Sequence, residues 1–203
     1  MKKIILLFSL LFLANASPIN AQNLLVMGDS LSAAYNLRQQ DGWVSLMSAK
    51  LSQSHPNVNI VNASVSGETT QGGAARFPNL LRTHQPNWVI LELGANDGLR
   101  GYPLDIAKDN LKQMINAASR QGAEVLLVGN HLPPNYGRLY TEQFFNMFKE
   151  LATETGVAYY PFMLENVALD PSLMLSDGLH PNVEGQKKVL ENLYPAVIEL
   201  LQP

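Results

Sequence analysis

The sequence predicts an α/β fold, a three-layer α/β/α sandwich built on a five-stranded parallel sheet, and three observations carry that prediction. Five short apolar runs recur along the chain, at residues 24–27, 58–61, 88–93, 125–128 and 157–160, each of strand length. Longer segments with apolar residues at helical spacing separate them. The runs stop at glycine or polar residues, which marks a chain leaving the core for a loop. Regular alternation of strand and helix implies parallel strands joined by right-handed crossovers. The order 2-1-3-4-5 is the usual doubly wound arrangement, and it places the loops after strands one and three beside the topological switch point.

The amino terminus follows a different rule. Lys2 and Lys3 precede an apolar run at residues 4–14, then small and polar residues follow, the pattern of a secretory signal peptide. The run falls short of the roughly 20 apolar residues that a membrane span requires, so a cleaved leader is expected and not a retained anchor. Cleavage fits after Ala16 or after Ala21; Pro18 sits close behind the first, and Gln22 immediately precedes strand one, which favours Ala21. The chain then divides into a leader, residues 1–21, and one domain, residues 22–203, exported to the periplasm or beyond.

In the domain, Trp43, Leu46, Met47 and Leu51 make the buried face of the first helix. Strand two opens into the polar stretch at residues 62–70, read as a loop; Ser64 and Ser66 lie in it, and its Asn62-Ala63-Ser64 sequon is discounted as a chance match. A second helix covers residues 72–84, with Pro78 expected to kink or split it. Strand three ends in Gly94-Ala95-Asn96-Asp97-Gly98. The third helix, residues 104–120, carries Ala107, Leu111, Met114, Ile115 and Ala118 on one face, and Gly122 suits its carboxyl cap. A helix over residues 141–155 stops at Gly156, and a long loop to His180 is expected to hold a helical turn or a functional segment. The last helix, residues 183–201, is expected to be interrupted at Pro195.

Composition excludes several classes. A net charge of −3, falling to −5 when Lys2 and Lys3 are removed, supplies no basic field for nucleic acid. There are no cysteines, so thiolate nucleophiles, disulfides and cysteine-held metals are out. His55, His84, His131 and His180 show no metal-ligand spacing. A small-molecule substrate, no metal or cofactor, and a monomer are the expectation.

Chemistry concentrates at two places. Ser30 follows the strand-ending Gly28-Asp29 and sits in the turn where ligands of open α/β sheets bind. A serine hydroxyl needs a base to take its proton and a carboxylate to orient that base. Asp177-Gly178-Leu179-His180 supplies both within a spacing that one tight turn can fold, bringing the carboxylate to Nδ1 and leaving Nε2 for Ser30. Pro181 suits the first position of a helix, which would set His180 at the positive end of a dipole that disfavours imidazolium. Acyl chemistry also needs donors for an oxyanion; the backbone N–H groups of Ser30 and Gly67 and the side-chain amide of Asn96 are candidates.

Gly28-Asp29-Ser30-Leu31-Ser32, Gly67, Gly94-Ala95-Asn96-Asp97 and Asp177-Gly178-Leu179-His180 resemble, in order, the four motif blocks of the SGNH (GDSL-type) hydrolase family. The similarity spans about residues 24–182, and the strings around Asn62, Leu93 and Leu132-Pro133-Pro134-Asn135-Tyr136-Gly137 are closest to exported thioesterase, lysophospholipase and arylesterase members. The resemblance implies a flavodoxin-like fold, a triad of Ser30, His180 and Asp177, and an oxyanion hole from Ser30, Gly67 and Asn96. It further suggests that Gly98, Leu99, Arg100, Gly101 and Tyr102 help form the acyl site. The implied activity is hydrolysis of acyl esters and thioesters by an acyl-enzyme route.

Three other readings compete. Asp29 and Asp97 would suit a phosphoacceptor receiver domain, but that domain wants a lysine after strand five, where this chain has Tyr160-Pro161. An exported binding module would leave Ser30, Asp177 and His180 without a purpose. A carbohydrate O-deacetylase of the same family would want an aromatic sugar platform; here Met163, Leu164, Leu173, Met174 and Leu175 make the long loop apolar, a pattern that suits an acyl chain, and core packing accounts equally well for any one of them.

Overall fold

The computed structural model describes residues 22–202. Five parallel strands, β1 (Gln22–Gly28), β2 (Val58–Asn62), β3 (Trp88–Glu92), β4 (Glu124–Val128) and β5 (Ala158–Tyr160), pair in the order β2-β1-β3-β4-β5. The ladder aligns Gly28 with Glu92 across β1 and β3, so the two strands leave the sheet side by side. β2 lies on one side of β1 and β3 on the other, so the order of strand addition reverses there, and the loops after β1 and β3 open a crevice at the carboxyl edge.

Period-two alternation decides what each face packs against. Leu24, Val26, Ile90, Leu126 and Val128 point to one layer, formed by α1 (Trp43–Ser54) and α6 (Val183–Leu200). Leu25, Met27, Val89, Leu91, Val125 and Leu127 point to the other, formed by α2 (Thr70–His84), α4 (Leu104–Arg120) and α5 (Arg138–Thr155). Strands buried on both faces read as unbroken apolar runs. Phe77, Phe144 and Phe148 fill one layer and Trp43 with Met47 the other, all essentially without solvent contact.

Several sequence expectations are corrected. Pro78 and Pro195 neither split nor end their helices: α2 and α6 run through them. Both prolines are exposed, so the carbonyls they leave without a donor face water, while Phe77 and Leu81, or Leu193 and Val197, keep the buried face of each helix packed. The segment after β3, read as loop, contains the short helix α3 (Ala95–Leu99). Its central residues Asn96, Asp97 and Gly98 are poor helix formers, and tertiary contacts hold it: buried Asp97 accepts from the Thr70 amide at 2.9 Å and the Thr70 hydroxyl at 2.7 Å. Thr69 caps α2 by accepting from the Gly72 amide, which draws Thr70 into the helix. The long loop before His180 does hold a helical turn, at Pro171–Leu173. Ala16, Ala21 and the proposed leader lie outside the described residues, within which no helix is long and apolar enough to cross a membrane.

Candidate active site

Ser30 sits in the turn directly after β1. The turn winds back on itself: the Ser32 and Ala33 amides donate to the Asp29 carbonyl, and the Leu31 amide donates to Asp29 Oδ1 at 3.0 Å. Gly28 must be glycine, because a Cβ there would lie 2.7 Å from the Glu92 carboxyl and 2.8 Å from the Ser32 side chain. The turn is thus pressed against the end of β3.

The second half of the site is one loop. Asp177 uses its two oxygens separately: Oδ1 accepts from the Leu179 and His180 amides at 2.9 and 3.0 Å, and Oδ2 meets His180 Nδ1 at 2.8 Å. That division is how a three-residue spacing orients an imidazole. Gly178 takes φ +66° to close the turn. An antiparallel bridge between Met174 and Pro181, with the Leu175 amide donating to the His180 carbonyl, ties the loop shut. The helix start differs from expectation: Asn182 is the cap, accepting from the Glu184 and Gly185 amides, and α6 begins at Val183. Pro181 therefore stands before the cap, and Asp177 rather than the helix end governs the imidazole.

The two halves meet at 2.8 Å between His180 Nε2 and Ser30 Oγ. Since a carboxylate only accepts, the Nδ1 facing Asp177 carries the proton and Nε2 accepts the Ser30 hydroxyl. Tyr35 lies against the imidazole at a centroid distance of 4.3 Å. Burial pushes the Asp177 carboxyl up, but hydrogen bonds from the Leu179 amide, the His180 ring and the His180 amide together hold it below the usual value. Ser30, His180 and Asp177 are brought together in one line.

Asn96 reaches the same place from α3, its Nδ2 donating one hydrogen to Asp29 Oδ2 at 3.1 Å and keeping a second. Gly67 takes φ +78° beside the turn; Val65, two residues earlier, donates to the Gly28 carbonyl. Among the described residues, the Ser30 and Gly67 amides donate no hydrogen bond within the chain. Arg100 Nη2 binds the Gly67 carbonyl at 3.0 Å, and Arg76 holds Glu68 at 2.6 Å, so the Gly67 turn is held from both sides.

Beside Ser30 and His180 opens a cavity of about 560 Å³. Leu99, Leu132, Phe162, Leu164, Met174 and Leu179 make its wall largely apolar, and Leu169, 97% exposed, stands on it too. Of residues 98–102, Leu99 lines this cavity, Gly98 is buried against Phe144 and Leu132, and Gly101 with Tyr102 line a separate recess. Of the apolar loop, Leu164 and Met174 reach the cavity while Met163 and Leu173 pack into the core beneath. His131 joins the wall, stacked on Phe145 at 3.9 Å and edge-on to Phe162, and burial holds its pKa below the usual value.

Sequence reading missed the buried acids. Asp29 is 1% exposed and Glu92 2%, with no lysine or arginine paired to either among the described residues. Burial pushes Asp29 up to about 6, against the opposing bonds from Leu31 and Asn96; burial and then the charge of Asp29 push Glu92 well above the carboxylate range. The clue was present: Glu92 is the one acid in the apolar run of strand three. No group of three or more aspartate, glutamate or histidine side chains among the described residues is placed to hold a metal.

The chain is 42% identical over 182 residues to the arylesterase of Vibrio mimicus, covering 90% of this chain and 91% of that protein. It is 44% identical over 166 residues to thioesterase 1/protease 1/lysophospholipase L1 of Escherichia coli K12, covering 82% and 78%. The crystal structure of TesA superposes with a TM-score of 0.86 at 44% identity, over 89% of this chain and all of that one. Residues 26–188, from the end of β1 through the turn of His180, match the family signature as one continuous block, and the chain belongs to the GDSL-like lipase/acylhydrolase family.

Proposed function

We propose that this chain is an exported serine hydrolase that cleaves acyl esters and thioesters through an acyl-enzyme. The observation that carries the reading is His180, which spans Asp177 Oδ2 and Ser30 Oγ at 2.8 Å each at the edge of an apolar cavity. In the first step Ser30 Oγ attacks the acyl carbon as its proton passes to His180 Nε2, and the carbonyl electrons move onto oxygen. The Ser30 and Gly67 amides and the second hydrogen of Asn96 Nδ2 stabilise that oxyanion. The imidazolium, steadied by Asp177, then protonates the departing alcohol or thiol as its bond to carbon breaks. Water repeats the sequence on the acyl-enzyme, giving its proton to Nε2, and the acid leaves as Ser30 regains a proton.

Asp177 and Leu179, on the His180 side of the site, are exposed, which supports aryl, glyceryl or thiol portions left in solvent while the acyl chain enters the cavity. Three named relatives carry arylesterase, esterase or thioesterase and lysophospholipase activities in their names, which supports this substrate range. The Lys2-Lys3 and apolar 4–14 leader supports export and release after Ala21.

The test is hydrolysis of p-nitrophenyl esters from acetyl to palmitoyl, wild type beside Ser30→Ala. A Ser30-dependent rate that favours medium or long chains is expected. Preference confined to acetyl would turn the assignment to a carbohydrate O-deacetylase, and an unchanged rate in Ser30→Ala would end the triad.

A further inference from the structure

The proposed reaction uses Ser30, Gly67, Asn96, Asp177 and His180, yet a buried acid beside them, Glu92, has no part in it. Glu92 closes β3, and its register partner in β1 is Gly28. Its Oε2 accepts from the Ser32 hydroxyl at 2.7 Å and from the Asp29 amide at 3.4 Å. These two donors flank Ser30, one residue before it and two residues after. The carboxyl also occupies the space that a side chain on Gly28 would need. Further out, the Ser32 carbonyl accepts from Asn62 Nδ2 at 2.8 Å, so the far end of the turn is gripped from β2 as well as β3.

We propose that Glu92 is a positioning residue for Ser30, its buried carboxyl acting through the Asp29 amide and the Ser32 hydroxyl to fix both flanks of the nucleophile turn. It touches neither Ser30 nor the cavity. A nucleophile on a turn rather than within a helix or strand depends on such supports, and displacement of about 1 Å costs as much as 10²-fold in rate.

The same geometry assigns its protonation. Two carboxyl groups, Glu92 and Asp29, share one buried pocket; the titratable groups facing the pair are Asp97 and His180, both on the Asp29 side. No lysine or arginine pairs with either acid among the described residues. Two like charges in a dry site do not both persist. Asp29 receives two donors, the Leu31 amide and Asn96 Nδ2, that favour an anion, whereas Glu92 receives a hydroxyl and one long amide contact. Glu92 is therefore the neutral member, an acid held protonated at neutral pH, and Asp29 carries the charge that orients the Asn96 amide.

This inference rests on Ser30 being the nucleophile, and the experiment separates the two. Glu92→Leu, Glu92→Gln and Ser32→Ala are compared with wild type for kcat and KM on p-nitrophenyl butyrate, with Ser30→Ala as the blank. Glu92→Leu should lower kcat about tenfold or more with KM within about twofold, and Glu92→Gln, which keeps the acceptor without a charge, should restore kcat to within about threefold. Ser32→Ala should fall between them. A folded Glu92→Leu with wild-type kcat overturns the proposal; if that variant does not fold, a wild-type kcat in Ser32→Ala overturns it. Activity surviving in Ser30→Ala would instead overturn the nucleophile assignment beneath it. An infrared band of a protonated carboxyl at pH 8, lost in Glu92→Gln, is expected, and its absence from wild type would refute the neutral Glu92.

Discussion

The two halves of the candidate site are built in opposite ways. The nucleophile turn is a buried, long-range assembly: Asp29 and Ser32 bond to Glu92 some sixty positions away, and Asp29 to Asn96 at a separation of 67. The acid–base turn is local: Asp177 reaches His180 across three residues, and its carboxyl remains 36% exposed. The first half exists only when three strands have assembled. The second needs one loop and a single bridge to its own return strand. Ser30 thus stands on the buried half and His180 on the more exposed one, and the two meet at 2.8 Å.

Breaking the link between the halves should give the largest effect. His180→Ala is expected to lower kcat by about 10⁴-fold or more while the thermal transition stays near wild type, since the imidazole is the one bridge to Ser30. Steady-state kinetics beside a melting curve check both parts.

Within the buried half, Asn96→Ala should lower kcat by about 10²–10³-fold with a smaller change in KM, the expected cost of one oxyanion donor. A loss confined to KM would mean that Asn96 binds the ground state only.

Titration should sharpen the contrast, because the acids shift in opposite directions. Asp29 is raised in the folded protein, from 3.8 to about 6, so its contribution favours the folded state at low pH and is lost as pH rises through that window. Asp177 is lowered, so its contribution is present above the ordinary carboxylate value and lost as pH falls through the folded one. Urea unfolding across pH 3–7 should show Asp29→Asn gaining on wild type from about pH 4 to about pH 6, and Asp177→Asn losing its deficit below about pH 4. Curves parallel to wild type in both variants would dissolve the distinction.

The smallest effects compare two glycines. A methyl at Gly28 meets Glu92 and Ser32 within 2.8 Å, so Gly28→Ala should cost about 1–3 kcal/mol and slow kcat as well. A methyl at Gly178 meets nothing within 4 Å, and only its φ of +66° resists, so Gly178→Ala should cost about 1 kcal/mol. Equal losses in denaturant midpoint and kcat would contradict the division into tight and open halves.

What the sequence determined by itself was local or periodic. Five apolar runs between amphipathic segments are enough to define a parallel sheet with two helical layers, because period-two and period-3.6 burial are written in neighbouring residues. The spacing of Asp177 and His180 likewise states their contact outright, since a three-residue turn has little choice in where it puts two side chains. Tertiary structure decided the rest. Pro78 and Pro195 read as breaks until burial of the opposite helix face showed why the helices continue. Asn96, Asp97 and Gly98 have little helical propensity, and α3 is held by Thr70 engaging Asp97. Leu99 reaches the apolar cavity beside Ser30 while Tyr102, three residues on, does not, a difference set by how α3 meets its neighbours. Glu92 is a lone acid in an apolar strand, and what it does depends on which turn the sheet's order brings beside it. Propensity and periodicity describe a residue by its neighbours in the chain, whereas a buried charge is defined by partners sixty positions away that only the assembled fold supplies.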